Sequence, residues 1–160
     1  MATSTARRRQ AAATPDIQVD TPLNMDGLDD KLGFRLRFAE RRVFRELGDG
    51  FQPHGISPLL FSILTLLAAN PGCRQAELGA ALGVHQPNLV EKIDNLVGRG
   101  LALRAPDPVD RRANTLHLTK AGEEFLAMLN GIDEEITNRQ IERLGTRDYA
   151  TLIELLRRLA

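Results

Sequence analysis

The stretch LVEKIDNLVGRGLALRAPDPVDRRANTLHLTKAG, Leu89–Gly122, changes its apolar period twice. Apolar residues first recur at helical spacing, until Gly98 and Gly100 close that helix. Leucines then alternate with polar residues on both sides of a turn at Pro106–Asp110, which is the pattern of two antiparallel strands. Thr119 is a favoured residue for capping a further helix. The stretch therefore predicts a helix, a β-hairpin and a second helix in direct succession.

A shorter helix is predicted just before this stretch. Residues 75–82 have helical spacing, and Gly83 ends the segment. Pro87 marks the start of the next helix, residues 86–97, because proline is favoured in the first turn of a helix. Two short helices joined by a glycine-containing turn predict a helix-turn-helix. With the hairpin that follows, the pattern predicts a winged helix over about residues 57–119.

Longer helices flank this core. The apolar stripe of residues 28–47 predicts an amphipathic helix, which Gly48 and Gly50 should end. Residues 120–143 and 147–159 predict two more amphipathic helices. Ser57 followed by Pro58 predicts the capped start of an apolar helix that runs to about Ala69.

The expected fold class is mainly α with a small β-hairpin. A winged helix-turn-helix core is flanked by N- and C-terminal dimerisation helices at about 28–47 and 120–159. We expect residues 28–160 to form a single domain. Residues 1–27 have almost no apolar periodicity and predict a disordered or loosely docked arm.

Composition and charge narrow the function. The 160 residues carry no net charge, but residues 74–120 carry a net +2, so the small excess of cations falls on the predicted winged helix. The one cysteine, Cys73, excludes an intramolecular disulfide and suits a reducing compartment. The longest apolar run is too short for a membrane span, and no apolar segment follows the N-terminal arginines. These features predict a cytoplasmic protein.

The order of the elements, together with the motifs RGL, D-P-x-D-R-R and L-T-x-x-G, resembles the multiple-antibiotic-resistance regulator (MarR) family of bacterial transcription factors. The resemblance covers about residue 28 to the C-terminus and is most specific over Asn88–Gly122. It implies a homodimer that binds a pseudo-palindromic operator. It also implies release by a small ligand, often a phenolic or aromatic acid or its thioester. Repression is expected because it is the common mode of the family.

The predicted recognition helix leaves several polar residues outward. Gln86 and Asn88 lie at its start, and their amides could pair with adenine in a major groove. Lys92 is a candidate phosphate contact, whereas Glu91 must point sideways or pair with Lys92. The alternative reading is that these residues are only a solvated polar surface.

The predicted wing tip is cationic. By family position, Arg112 resembles the residue that enters a minor groove, where negative potential favours arginine. Asp110 would hold the Arg112 guanidinium, and Arg111 would contact phosphate. A solvated turn with an incidental ion pair is the alternative.

The resemblance also implies that effectors bind between the dimerisation helices and the DNA-binding part, and here the first of those helices is rich in arginine. Cationic and aromatic groups together suit an aromatic carboxylate or an acyl-coenzyme A. We expect an anionic aromatic effector held by some of Arg37, Phe38, Arg41 and His54. Surface arginines paired with neighbouring acids are the alternative.

Other classes fit less well. The three histidines are dispersed, and no metal-ligand spacing, nucleophile motif or phosphate-binding glycine loop occurs, so neither an enzyme nor a metal site nor a cofactor is expected. Two alternatives remain, namely a redox sensor acting through Cys73 and a winged-helix module that binds protein rather than DNA.

Overall fold

The computed structural model describes residues 26–108 and 113–159. Helix α1 spans Leu32–Phe51, followed by a short 3-10 turn at Gln52–His54. The remaining elements are helices α2 to α6 and strands β1 to β3, in the order α2 Pro58–Ala69, β1 Cys73–Arg74, α3 Gln75–Leu82, α4 Gln86–Gly98, β2 Ala102–Pro106, β3 Asn114–Leu118, α5 Lys120–Leu144 and α6 Thr146–Leu159.

The predicted capping residues are confirmed. The Ser57 hydroxyl accepts a hydrogen bond from the Leu60 amide at 3.3 Å, at the start of α2. The Thr119 hydroxyl accepts one from the Gly122 amide at 3.0 Å, at the start of α5. Each cap satisfies an amide that has no partner within its own helix, so each helix begins at the residue that the sequence indicates.

The sheet has three strands instead of the predicted two. Strand β3 lies in the middle and pairs antiparallel with β2 on one side and β1 on the other. Cys73 lies opposite Leu116, and Arg74 lies opposite Thr115. Strand β1 contains only two residues, so it leaves no alternating pattern in the sequence. It nevertheless ties the segment before α3 to the wing.

The prediction for α1 was wrong at both ends, because the helix begins at Leu32 and continues through both glycines to Phe51. A Cβ atom on Gly50 would lie 2.9 Å from Ile136 Cδ1 and 3.0 Å from Ile132 Cγ2. Gly50 is therefore not a helix breaker; its missing side chain lets α1 approach α5 closely. The helix ends instead at the 3-10 turn, after which Gly55 has a φ of +66°.

The hydrophobic core lies where α2, α4, α5 and the sheet meet. Among the residues that the structure describes, ten large side chains are fully buried, namely Phe51, Ile63, Leu64, Leu67, Leu89, Ile93, Leu96, Leu116, Leu129 and Ile136. Val90 is one of the apolar residues that recur at helical spacing in α4, but it is 38% exposed. It lies about 100° around the helix from Leu89, at the edge of the buried stripe.

No single helix in the described ranges is long and apolar enough to cross a membrane. The helical segments Leu32–His54 and Pro58–Ala69 meet the length and composition requirement only as a pair, and they are bent by 79°.

The first turn of α5 packs directly against the backbone of Leu101, in the short segment between α4 and β2. A Cβ atom on Gly122 would overlap the carbonyl oxygen of Leu101. The Thr119 hydroxyl also donates to the Gly100 carbonyl at 2.6 Å, and the Thr119 amide donates to the Leu101 carbonyl at 3.1 Å. The L-T-x-x-G motif thus consists of a cap and a glycine that permits backbone contact.

We expect Gly122→Ala to lower the free energy of unfolding by about 3 kcal/mol, the upper end for overpacking, because backbone cannot move aside as a side chain can. Gly131→Ala is the matched control in the same helix, since a Cβ there meets nothing within 4 Å. It should raise stability by about 0.5–1 kcal/mol through helix propensity. Urea denaturation measures both changes, and equal effects would contradict this account.

Candidate nucleic-acid interface and effector groove

The predicted recognition helix presents an exposed polar surface. Gly83, with φ +61°, makes the turn from α3, and Pro87 lies in the first turn of α4. Asn88 and Asn95 are exposed. The Asn88 backbone N–H donates to the His85 carbonyl at 3.1 Å, whereas the Asn88 side-chain amide has no hydrogen-bond partner among the described residues. Asn88 is therefore available to an external partner at the start of the helix.

Gln86 is already engaged by α3. Its Oε1 atom accepts a hydrogen bond from Gln75 Nε2 at 3.1 Å. Its Nε2 atom lies 2.7 Å from where a Cβ on Gly79 would be, so the side chain rests on the glycine of α3. Gln86 therefore has less freedom to pair with a base than the sequence suggests, and its predicted role stays a prediction.

The carboxylates of α4 are paired with cations. Glu91 forms an ion pair with Lys92 at 3.1 Å, which is one of the two arrangements expected from the sequence. Asp94 pairs with Arg104 of β2 at 2.7 Å and so connects the helix to the wing. These pairs reduce the repulsion that free carboxylates would exert on a phosphate backbone.

The base of the wing is held by Asp107, for which the sequence predicted only a place in the turn. Asp107 is only 5% exposed, and its Oδ2 accepts from Arg74 Nε at 2.8 Å and lies 2.7 Å from Arg74 Nη2. The Asp107 amide donates to the Ala113 carbonyl at 3.0 Å and closes the hairpin. Arg74 is 33 residues away in the chain. No local pattern could therefore have indicated this pair.

The predicted tip residues Asp110, Arg111 and Arg112 lie outside the described residues. Their roles as brace, phosphate contact and groove-inserting residue stay predictions.

Arg99 joins three parts of the molecule at the end of α4. Its guanidinium donates to the carbonyls of Gly55 at 2.9 Å and His54 at 3.0 Å, in the turn between α1 and α2. It also lies 5.2 Å from the ring centroid of Phe125 in α5. A planar guanidinium can make both contacts at once. Arg99 thereby fixes the recognition helix relative to the long helices, and its partners are too distant in the chain for sequence analysis to reveal.

We expect Arg99→Lys to lower the free energy of unfolding by about 1 kcal/mol. A lysine ammonium lacks the two separate N–H groups that the guanidinium donates to the two carbonyls, and it cannot stack on the Phe125 ring. Arg104→Lys is the matched control. Arg104 makes its ion pair through one nitrogen, Nη1, which a lysine can replace, so we expect almost no change. Equal losses for the two variants in urea denaturation would contradict a special role for Arg99.

One groove on α1 contains part of the predicted effector site. It has a volume of about 580 Å³, and it is lined by Arg35, Phe38, Ala39, Arg41, Arg42, Arg45 and Glu46. Phe38 and Arg41 were predicted to bind an effector, and they share this groove. Arg37 and His54 do not line it. The His54 carbonyl is instead a partner of Arg99.

Two cations of the groove, Arg42 and Arg35, form ion pairs with acids. Glu46 forms ion pairs with Arg143 at 2.9 Å and Arg42 at 3.3 Å. Burial raises the pKa of Glu46, but hydrogen bonds from Arg143, Arg42 and Gln140 outweigh burial and leave the pKa below its usual value. Arg35 pairs with Asp29 at 3.2 Å.

Arg41 differs from these neighbours. It is partly buried in the groove, and in the described part of the chain no carboxylate pairs with its guanidinium. A partly buried cation without an acid is suited to binding an anion from outside the protein.

The alternative of a redox sensor gains no support from the site. Burial and the charge of Glu77 raise the pKa of Cys73, which reduces the fraction of reactive thiolate. Cys73 lies in β1, where it is paired with Leu116 of β3. Within the described ranges, no group of three or more His, Cys, Asp or Glu residues could hold a metal ion.

Apolar side chains remain exposed on the first and last helices. Helix α6 has no buried residue, and its Leu152, Leu155 and Leu159 are exposed. Leu32 and Phe44 are exposed on α1. Apolar stripes of this kind are typical of surfaces that pack against another protein surface.

The helix-turn-helix with a wing defines the class as a winged-helix DNA-binding protein, and comparisons with known proteins identify the family. The model of the MarR family matches residues 54–113. A putative transcriptional regulatory protein for the hcr operon of Thauera aromatica is 34% identical over 134 residues, which cover 81% of this chain and 78% of that protein.

Solved structures extend the match. The transcriptional repressor CouR bound to a 23-mer DNA duplex is 36% identical with a TM-score of 0.83, over 87% of this chain and 99% of that one. CouR bound to p-coumaroyl-CoA is 35% identical with a TM-score of 0.78, over 86% and 96% of the two chains. The chain belongs to the MarR family of transcriptional regulators. This membership confirms the predicted family, the fold class and a role in transcription rather than catalysis.

Proposed function

We propose that the protein is a cytoplasmic, ligand-responsive repressor that binds a pseudo-palindromic operator as a homodimer. Helix α4 would enter the major groove with Asn88 and Lys92. Arg112 of the wing, its guanidinium held by Asp110, would enter the minor groove, and Arg111 would contact phosphate. The observation that carries this proposal is the exposed side-chain amide of Asn88 at the start of α4, beside a wing whose base is held by Asp107 and Arg74. The similarity to CouR on DNA supports it.

The homodimer is supported by the exposed apolar faces of α1 and α6. Leu155 and Leu159 are 51% and 56% exposed although they lie on the apolar stripe of α6. A second copy of the chain would cover both faces through a symmetric interface. Two recognition helices would then address half-sites about one turn of DNA apart.

The first test is fluorescence anisotropy on duplex from the protein's own promoter, against scrambled DNA, from 50 to 200 mM salt. We expect specific binding with a steep salt dependence, and Arg112→Ala should weaken it about tenfold, since a groove-inserted arginine is lost. Arg139→Ala, which removes an exposed cation of α5, should have little effect. Equal affinity for promoter and scrambled duplex would favour the protein-interaction module.

We further propose that the effector is an anionic aromatic compound, either an aromatic acid or its coenzyme A thioester. The groove offers the Phe38 ring beside the uncommitted Arg41 guanidinium, which suits an aromatic group that carries negative charge. CouR is similar over nearly its whole length, and it has been solved with p-coumaroyl-CoA. Binding of the effector would release the protein from DNA.

Isothermal titration calorimetry with aromatic acids and their coenzyme A thioesters tests this site. Arg41→Gln should weaken binding of the active compound at least tenfold, because the charge-assisted contact is lost. Arg37→Gln is the matched control, since Arg37 lies on the same helix but outside the groove. Equal losses of affinity in the two variants would place the effector site outside the groove. If no compound gave a heat of binding, this class of effector would be wrong.

A further inference from the structure

Val90 is an exposed apolar side chain on α4, where most exposed residues are polar and Pro87 is the other exposed apolar side chain. Its neighbours Leu89 and Ile93 are fully buried, whereas Val90 is 38% exposed in the second turn of α4. A single exposed apolar residue needs no explanation on an ordinary surface. Val90 differs because it lies on α4, the helix that would enter a major groove according to the proposed function.

The residues one turn before and after Val90 are both held by other parts of the protein. Gln86 makes a hydrogen bond with Gln75 of α3 and rests on Gly79. Asp94 pairs with Arg104 of β2 at 2.7 Å. Along this strip of α4 the polar groups are therefore turned toward the protein. The Val90 methyl groups lie between them and are free to contact a partner.

The major groove contains one apolar group, the C5-methyl of thymine, and small apolar side chains recognise it by contact. We propose that Val90 is a specificity-determining residue that contacts a thymine methyl in each half-site of the operator. This inference rests on the proposed function and adds to it the identity of one base. Asn88 lies about 160° away around α4, so it would address a different position of the same half-site.

The test replaces one operator thymine at a time with deoxyuridine, which removes only the 5-methyl group, and measures affinity by anisotropy at fixed salt. For the wild-type protein we expect about a fourfold loss at one thymine of each half-site, the value for one methyl removed from contact. Val90→Ala should bind the thymine operator about fourfold more weakly and lose nothing further at that deoxyuridine. Alanine favours the helix, so the variant should fold normally.

Met128→Ala is the matched control, because Met128 is also 38% exposed but lies on α5. It should show the wild-type response to deoxyuridine. If the wild-type protein binds the operator specifically but tolerates deoxyuridine at every thymine, or if Val90→Ala remains as sensitive as the wild type, the inference is wrong while the proposed function stands. Absence of any preference for the operator would overturn both.

Discussion

The structure depends on the close contact between the start of α5 and the segment that leaves α4. Gly122 has no side chain, so the first turn of α5 can rest on the Leu101 carbonyl, while Thr119 makes hydrogen bonds with Gly100 and Leu101. This contact sets the position of α5 relative to the recognition helix and the wing. Any larger residue at position 122 would force the backbone apart.

Arg99 connects the same region to two further parts of the molecule. It lies next to Gly100 in the chain, and it links the end of α4 to the turn that follows α1 and to Phe125 of α5. The groove on α1 lies on the same helix that leads into this turn. Arg99 thus connects the proposed DNA-binding helix to the turn that follows the proposed effector-binding helix.

The two functional surfaces use their charges differently. On α4 the acids Glu91 and Asp94 are paired with cations, which leaves the Asn88 amide and the Val90 methyl groups to face a partner. On α1, Glu46 holds Arg42 and Arg143, while Arg41 stays uncommitted among them. In both cases the available group lies beside charged groups that are already paired within the protein.

The sequence by itself determined the order of helices α1 to α6 and of the two hairpin strands, the helix starts at Ser57 and Thr119, the turn after α3 and the place of the wing. Each of these depends on residues within a few positions of one another, such as a hydroxyl and the amide three residues on, so local patterns reveal them. The tertiary structure alone decided that α1 continues through Gly50, that Asp107 pairs with Arg74 and that Arg99 joins three elements. It also turned Gln86 toward α3 and left Arg37 and His54 outside the groove. These features depend on partners far apart in the chain, and only the packing of the helices and strands brings those partners together.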